Sequence, residues 1–244
     1  MAILRERWGA DVLGVCRNEG QGTMAAADLC DANAVRRVLE MWRPERIYHL
    51  AGRCAEDWER TFSSNVETTR VLLETVCSLS LPCRILLVGS AAEYGRVPPV
   101  ALTEETPRGP VSIYGLTKAM QSELMGYFHR RFGLHVVMAR PFNLYGEGCP
   151  SVLFPGHVAR EISKVKAGAQ SKVRVRDLSA KRDYLPVADA MRAYVRILEN
   201  GRAGEVYHVA SGVPVCMSDI LLALLKPHGL DLGDVEIQPA PPGA

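Results

Sequence analysis

Short apolar runs alternate along this chain with longer segments in which apolar residues recur every three or four positions. The runs predict buried strands at Asp11–Cys16, Arg46–Ala51, Arg84–Gly89, Leu134–Ala139 and Glu205–Val209. The longer segments predict helices at about Asp31–Trp42, Asn65–Ser80, Ser112–Phe132, Leu153–Val165, Val187–Leu198 and Asp219–Leu225. Alternating strands and helices are typical of a parallel sheet covered by helices on both faces. The pattern therefore predicts a doubly wound α/β fold.

Composition narrows the class of protein without identifying it. The 48% of apolar and 23% of charged residues are ordinary for a globular protein, and a length of 244 residues predicts one large domain or one domain with a small appendage. A net charge of +2 gives no reason to expect binding to nucleic acid or to a membrane surface. No apolar stretch approaches the length of a membrane span, and Arg5, Glu6 and Arg7 argue against a signal peptide.

The cysteines and histidines predict no metal site. The seven cysteines are scattered, form no CxxC pair and show no metal-ligand spacing with the six histidines. An odd number of scattered cysteines within apolar runs is typical of reduced thiols in a cytoplasmic protein. His49 lies on a predicted buried strand, and we expect it to belong to the core.

The candidate chemistry is a Ser, a Tyr and a Lys. Ser90 ends a predicted strand, and Tyr114 and Lys118 stand four residues apart at the start of a predicted helix, so they share one helix face. An ammonium beside a phenol favours the phenolate, and a drop of about 3 pKa units requires roughly 4 kcal/mol. Such a trio is suited to interconverting a carbonyl and an alcohol. On its own, a Tyr and a Lys at this spacing also fit a surface lysine beside a half-buried tyrosine.

Further motifs fall around this trio in a fixed order. They are His49-Leu-Ala-Gly52, the helix start at Asn65, Gly89-Ser-Ala-Ala-Glu-Tyr-Gly95, Tyr114-Gly-Leu-Thr-Lys118, Arg140-Pro-Phe-Asn-Leu-Tyr-Gly146, Arg182-Asp-Tyr-Leu-Pro-Val-Ala-Asp189 and Gly204–Gly212. In this order the chain resembles the extended short-chain dehydrogenase/reductase family, whose members include nucleotide-sugar epimerases, dehydratases and 4-ketoreductases. The segments around Glu93 and Phe142 are most similar to its GDP-sugar branch, the GDP-mannose 4,6-dehydratases and GDP-6-deoxy-hexulose reductases.

The resemblance implies a Rossmann-like cofactor domain and a small substrate-binding subdomain. The cofactor domain would comprise residues 1–141 and about 183–212, and the substrate subdomain about 142–182 and 213–244. The family's first strand and Gly-rich turn are not found in this sequence. Its first residues, Met1–Gly9, look like the end of the helix that follows that turn. Compared with the family, the second part is short at its C-terminal end.

The resemblance also implies a role for each matching residue. Tyr114 is the acid/base, Lys118 lowers its pKa and holds the nicotinamide ribose, Ser90 orients the sugar oxygen, and Asn65 keeps the site ordered. Residues expected to border the cofactor are Arg17, Asp28, Leu29, Leu50, Ala51, Gly52, Lys118 and Pro141. Residues expected to contact the sugar nucleotide are Ala91, Ala92, Asn143 and Arg182.

Several of these residues keep an alternative. Arg182 is suited to bind phosphate oxygens bidentately, or else pairs with Asp183 or Asp189. Asp28 lies beside the adenine, or else only forms a turn or cap. The basic stretch 172–182 is either a solvated loop or a rim that faces phosphate. Arg17 stands where NAD-binding relatives often carry an acid, and an arginine suits a 2′-phosphate, so NADP(H) is favoured over NAD(H).

The sequence favours a 4-ketoreductase that acts on a nucleotide-diphosphate sugar. An epimerase remains open, and a dehydratase is less favoured because the position where it usually carries a Glu is Ala92, with Glu93 one residue later. The alternative from another class is a non-catalytic relative or fragment that serves as a binding subunit. By resemblance, we expect a homodimer through the helices that start near Asn65 and Ser112.

Overall fold

The computed structural model describes residues 4–6, 11–17, 24–98 and 100–239, and these divide into two units. The first unit is Met1–Phe142 with Ala188–Val209, and the second is Asn143–Val187 with Ala210–Ala244. The strands are β1 Gly14–Cys16, β2 Met24–Ala26, β3 Arg46–His49, β4 Arg84–Val88, β5 Val136–Pro141, β6 Asn143–Tyr145, β7 Val173–Val175, β8 Lys181–Pro186, β9 Val206–Val209, β10 Pro214–Cys216 and β11 Val235–Ile237. The α-helices are α1 Ala32–Trp42, α2 Trp58–Phe62, α3 Thr68–Ser78, α4 Ile113–Phe132, α5 Phe154–Lys166, α6 Val187–Asn200 and α7 Met217–Leu225.

The first unit is organised around a parallel sheet. Its strand order is β3-β4-β5-β9, with Ile85 opposite Ile47 on one side and Val136 on the other. Strands β1 and β2 form a separate parallel pair. Neighbouring parallel strands need long crossover connections, and helices provide them between β3 and β4 and between β4 and β5. The predicted α/β class is confirmed.

The core of the first unit follows from the apolar runs. Every residue of β5 is buried, and Ile85, Leu86 and Leu87 of β4 have no exposed surface. The strands read as continuous apolar runs because helices cover a parallel sheet on both faces. Helices α1, α3 and α4 contribute apolar side chains to the same cluster, among them Leu39, Leu73, Val76, Met125 and Phe128.

Capping side chains fix the start of two predicted helices. The Asp31 carboxylate accepts a hydrogen bond from Asn33 N, and the Ser112 hydroxyl accepts one from Gly115 N at 3.0 Å. Helix α4 ends at Gly133, whose φ of 68° lies in the left-handed region that glycine adopts readily. The sequence prediction of these two helices is confirmed to within a residue or two.

One predicted helix is wrong in its start and its form. The sequence predicted one helix from about Asn65 to Ser80, but helical structure begins at Trp58 and passes through a π-helical turn at Ser63–Glu67 before α3. The turn holds one residue more than an α-helical turn, and such turns often occur at functional sites. Asn65 lies within it and is fully buried.

The second unit has its own core and two small sheets. The first sheet has the order β10-β8-β6, and β11 pairs with β7 in the second. Helices α5 and α7 pack Val158, Ile162, Leu221 and Leu225 against the buried valines of β7. The basic stretch 172–182 is therefore not a continuous loop, since it contains β7 and the start of β8.

The chain start was expected to be the end of a helix. Residues 4–6 are helical, and the remainder of Met1–Gly9 lies outside the described residues.

Candidate active site

The candidate trio lies at the carboxyl edge of the main sheet. Ser90 follows β4 after one residue, and Gly52 comes shortly after β3. Strands β3 and β4 are parallel, so these chain segments leave the sheet at the same edge, where ligands bind in open α/β folds. The first turns of α4 bring Tyr114 and Lys118 to this edge, and the Lys118 ammonium lies 5.9 Å from the centre of the Tyr114 ring.

A close backbone approach holds the start of α4 against the turn that follows Ser90. That turn is a 3-10 helix, Ala91–Tyr94, and Ser90 caps it by accepting a hydrogen bond from Ala92 N at 3.2 Å. A Cβ atom at Gly115 would lie 2.4 Å from the carbonyl oxygen of Ala92. Only glycine fits there, and the contact brings Tyr114 within hydrogen-bonding reach of Ser90.

The pKa of the Tyr114 phenol is shifted in the direction opposite to the one predicted from the sequence. The sequence suggested that Lys118 lowers its pKa, but burial raises the pKa of Tyr114, and the hydrogen bond with Ser90 only partly opposes this effect. Desolvation disfavours the charged phenolate and here outweighs the favourable contacts. Tyr114 therefore keeps its proton at neutral pH.

Lys118 is a buried cation with two oxygen partners. Its residue is 4% exposed, and Nζ donates to Val88 O and to Gln121 Oε1, each at 2.8 Å. Burial lowers the pKa of Lys118 to about 8, and the charge of Glu93 acts in the opposite direction. The ammonium has three protons, so one is left for a ligand.

The Asn65 side chain holds the segment that follows β3 in place by hydrogen bonds. Its side-chain oxygen accepts from Arg53 N at 2.7 Å, and its side-chain nitrogen donates to Arg53 O at 3.0 Å and to Thr117 Oγ1 at 2.8 Å. These bonds fix the segment after β3 against α4. They support the predicted ordering role of Asn65, and a direct catalytic role stays a prediction.

The Glu93 side chain is buried next to Ser90 and makes several hydrogen bonds. Its Oε1 accepts from Ser90 N at 3.0 Å, and its Oε2 accepts from Arg140 at 2.9 Å and from Ser122 Oγ at 2.6 Å. Glu93 has no exposed surface. Glu93 stands one residue after the position of the dehydratase Glu, and on a strand this step would point its side chain to the opposite face. The segment is instead a 3-10 helix, and the pair with Arg140 holds the Glu93 carboxylate in the interior.

The surroundings of Lys118 fit a nicotinamide cofactor. A Cβ at Gly52 would lie 3.1 Å from Asn65 Oδ1 and 3.2 Å from Lys118 Nζ, so the bare backbone leaves space beside the ammonium. An ammonium with a spare proton and an adjacent Cβ-free backbone suit a ribose hydroxyl. Lys118 and Gly52 would hold the cofactor there.

A second set of cationic residues lies around Arg17. Arg17 pairs with Asp28 at 3.7 Å, and both side chains are largely exposed. Asp28 also accepts from Cys30 N at 3.0 Å, so the predicted turn role is present together with this pairing. A pocket of about 430 Å³ is lined by Arg17, Arg53, Glu59, Arg60, Ser63 and Ser64. Three guanidinium groups and two hydroxyls suit a phosphate group.

The other predicted cofactor and substrate residues of this unit lie in different environments. Leu29 packs against the apolar core, and Pro141 ends β5, fully buried opposite Val209. Leu50 is half exposed, and Ala51 is partly buried. Ala91 and Ala92 lie partly buried on the 3-10 turn beside Ser90.

In the second unit, Asn143 and Arg182 lie on adjacent strands of one sheet. Asn143 donates to Asp183 O at 2.9 Å, and Arg182 is exposed and donates to Lys181 O at 2.9 Å. The alternative pairings of Arg182 are not found among the described residues. The Asp183 carboxylate accepts from Ser211 N and Gly212 N, and Asp189 pairs with Arg192.

Sequence reasoning missed the residues that support the trio. Gln121, Thr69, Thr117 and Arg140 are buried polar residues whose partners lie far away in sequence. The one available signal was a Gln one turn after Lys118 on the same helix face. Among the described residues, no cluster of potential metal ligands is found, and no helix is long and apolar enough to cross a membrane.

Comparison with known proteins finds relatives that are named as sugar-nucleotide enzymes. The family described as GDP-mannose 4,6 dehydratase matches residues 12–232. The GDP-6-deoxy-D-mannose reductase of Pseudomonas aeruginosa is 31% identical over 203 residues, covering 80% of this chain and 65% of that protein. A dTDP-glucose 4,6-dehydratase of Streptomyces niveus is 32% identical over 224 residues, covering 88% and 64%. The chain thus spans just under two thirds of the length of these two relatives.

Solved structures agree on the fold. The Pseudomonas aeruginosa RMD protein, complexed with NADPH, superposes with a TM-score of 0.83 at 26% identity, covering 98% of this chain and 82% of that one. The UDP-glucose 4-epimerase of Thermotoga maritima, with UDP-glucose, gives a TM-score of 0.86 at 23% identity, covering 99% and 82%. The second likeness shows the fold alone.

Proposed function

We start from the premise that this chain belongs to the GDP-mannose 4,6-dehydratase family, and we propose that it is an NADP(H)-dependent nucleotide-sugar 4-ketoreductase. The predicted membership of the extended short-chain dehydrogenase/reductase family is confirmed. The observation that carries the proposal is the Tyr114 phenol, within reach of Ser90, with the buried Lys118 ammonium 5.9 Å from its ring centre.

The site residues divide the work of reducing a ketone. When bound beside Lys118 and Gly52, a nicotinamide cofactor would supply the hydride for C4 of the keto sugar. Ser90 donates a hydrogen bond to the ketone oxygen, and Tyr114 gives that oxygen its phenol proton and is reprotonated from water. Because burial raises the pKa of Tyr114, the phenol holds the proton that this direction requires. Lys118 stabilises the phenolate left behind.

The surroundings of Glu93 support a reductase over a dehydratase. A 4,6-dehydratase needs a further acid/base that reaches C5 and C6 of the sugar. Ala92 has no titratable group, and the Glu93 carboxylate is buried and bonded to Ser90 N, Arg140 and Ser122. An epimerase needs only the trio and a retained cofactor, so it is the second candidate.

The remaining parts of the proposal concern specificity and assembly. The arginine-lined pocket around Arg17 supports NADPH over NADH, because a 2′-phosphate adds a dianionic group.

We assign cofactor binding to the first unit and sugar-nucleotide binding, through Asn143 and Arg182, to the second. Exposed apolar side chains on α4, including Leu116 and Tyr127, support the proposed homodimer through this helix and α3.

The test combines cofactor binding with turnover. We expect fluorescence titration to show tighter binding of NADPH than of NADH, and Arg17→Glu to remove the difference. With a nucleoside-diphosphate 4-keto sugar, the chain is expected to oxidise NADPH stoichiometrically, whereas an epimerase would leave its cofactor unconsumed. Tyr114→Phe is expected to lower kcat at least ~10²-fold and to leave NADPH binding unchanged.

Tyr127→Phe is the matched control, because Tyr127 lies on the same helix with its ring half exposed. Turnover that survives Tyr114→Phe would refute the assigned acid. Binding of the sugar nucleotide with no turnover by the unaltered chain would favour the non-catalytic binding subunit.

A further inference from the structure

A buried chain of hydrogen bonds runs from Lys118 to the end of β3. Gln121 has no exposed surface, and its Oε1 accepts from Lys118 Nζ at 2.8 Å. Its Nε2 donates to Thr69 Oγ1 at 2.6 Å, and His49 Nε2 lies 3.1 Å from that same hydroxyl. Four side chains from α4, α3 and β3 thus form one continuous polar path within the core.

The hydroxyl of Thr69 fixes the direction of this path. It donates its single proton to Asn65 O at 2.7 Å, so it can only accept from its other neighbours. Two acceptor positions remain, and Gln121 and His49 fill them. Since only the amide nitrogen of Gln121 can donate, it must face Thr69, and the amide oxygen must face Lys118.

The same hydrogen bonds determine that the Nε2 atom of His49 is protonated. The neighbouring Thr68 hydroxyl donates to Ser64 O at 2.8 Å and lies 3.3 Å from His49 Nε2. Both threonine hydroxyls therefore accept from the imidazole, which must carry its proton on Nε2. Burial lowers the pKa of His49 to about 4, so the ring is neutral at physiological pH.

We propose that Gln121 is a positioning residue that aims the Lys118 ammonium into the active site, with its own orientation set by Thr69 and His49. A flipped Gln121 amide would place an NH₂ group against the ammonium and remove one of its two protein acceptors. With Val88 O and Gln121 Oε1 in place, the third proton has one direction left. The proposal rests on the proposed function, because Lys118 serves the reaction there.

Four other ionisable groups face Lys118 from the elements packed around it. Tyr114 lies on the same helix, Glu93 on the 3-10 turn, Cys54 on the segment after β3, and His49 at the end of β3. Substitutions at Gln121 leave all four in place. A change in the pKa of Lys118 in these variants therefore results from the loss of the Gln121 amide.

The test measures the Lys118 titration directly. The chain has six lysines, and Lys118 is the only one within the first unit. NMR of ε-¹³C-lysine-labelled protein resolves their titrations, and Lys118→Arg assigns the resonance by deleting it. Gln121→Met removes the amide oxygen at similar length, and Gln121→Glu replaces it with a carboxylate.

We expect opposite shifts from the two substitutions. Gln121→Met lowers the pKa of Lys118 because an acceptor of the ammonium is lost, and Gln121→Glu raises it because a negative charge is gained. Thr69→Val, which frees the amide to flip, shifts it in the same direction as Gln121→Met but by less. Shifts of the same sign in both Gln121 variants, or no shift in either, would overturn the proposal. If Gln121 had only a structural role, the two substitutions would not shift the pKa of Lys118 in opposite directions.

Turnover gives the second readout. The alkaline limb of the pH profile for kcat/KM is expected to move down in Gln121→Met and up in Gln121→Glu. If the pKa falls by one unit from about 8, the protonated fraction at pH 8 falls about fivefold, and kcat/KM with it. If the unaltered chain shows no turnover, the proposed function fails, and the NMR titration still decides the role of Gln121. Thermal melts confirm that each variant is folded.

Discussion

His49 makes the stability of the first unit depend on pH in a way that can be calculated. The side chain is 5% exposed, and burial, followed by the charge of Lys118, lowers its pKa from 6.5 to about 4. The folded protein therefore binds a proton at this site less readily than the unfolded chain. Its contribution is complete above the unfolded pKa and is lost as the pH falls from about 6.5 towards 4.

The size of this loss follows from the two pKa values. At about pH 7.5 both states are almost fully neutral at this site, and the penalty is negligible. At about pH 5 the unfolded chain is protonated there and the folded protein is not, which costs about 2 kcal/mol. At about pH 4 the cost reaches about 3 kcal/mol.

His49→Gln isolates this contribution, since a glutamine amide can donate to the threonine hydroxyls but does not titrate. The assay is urea unfolding followed by tryptophan fluorescence at about pH 7.5 and about pH 5. Trp42 and Trp58 lie in the described part of the unit that contains His49. Other groups titrate in both proteins, so the difference between them reports His49.

We expect the unaltered protein to lose about 2 kcal/mol more than His49→Gln between these two pH values. Only the change on acidification is compared, so a difference in absolute stability between the two proteins at neutral pH does not enter the result. Equal losses in the two proteins would refute the reasoning, because they would mean that His49 takes up a proton in the folded state as easily as in the unfolded chain.

Two further predictions concern the scaffold of the site. Glu93→Gln leaves Arg140 buried without its counter-charge and is expected to destabilise the protein by about 3–5 kcal/mol in thermal or urea unfolding. The control is Glu40→Gln in the exposed pair with Arg36, which is expected to cost less than about 1 kcal/mol. Similar losses in the two variants would contradict the importance assigned to the buried pair. Gly115→Ala places a methyl group 2.4 Å from the Ala92 carbonyl oxygen and is expected to cost about 1–3 kcal/mol of stability and to lower kcat. The control is Gly126→Ala on the same helix, whose methyl group meets only the end of the Arg130 side chain and is expected to stabilise by up to about 1 kcal/mol. A Gly115→Ala variant of unchanged stability would show that the backbone approach between Gly115 and Ala92 is not tight.

Periodicity was sufficient to predict the main sheet and the helices around it. The strands β3, β4 and β9 lie within predicted apolar runs, and β5 overlaps its run and extends two residues past it, because burial in a parallel sheet leaves a strong signal. The short strands β6, β8 and β10 were missed. All three are short and partly exposed, β6 and β8 carry polar residues, and their pairing depends on neighbours that are distant in sequence.

The supporting residues of the site were harder to predict than the trio itself. The pair of Glu93 with Arg140 joins residues 47 positions apart, and the contact of Gln121 with Thr69 spans 52. No local pattern encodes such partners. The pKa of Tyr114 was predicted in the wrong direction because local spacing shows the neighbouring Lys118 but not the extent of burial.

The π-helical turn at Ser63–Glu67 acts as a rotational offset in a continuous helical segment. One added residue turns every later side chain by about 100° relative to a regular helix. Upstream, Trp58 stacks on Phe62 with its ring half exposed, and downstream Thr69 faces the buried path to Lys118. Regular α-helical winding through the same residues would put the two halves out of phase, so that α3 could not bury its apolar face while Asn65 keeps its hydrogen bonds to Arg53. The buried face of α3 therefore depends on a local change of winding that the periodicity of the sequence did not predict.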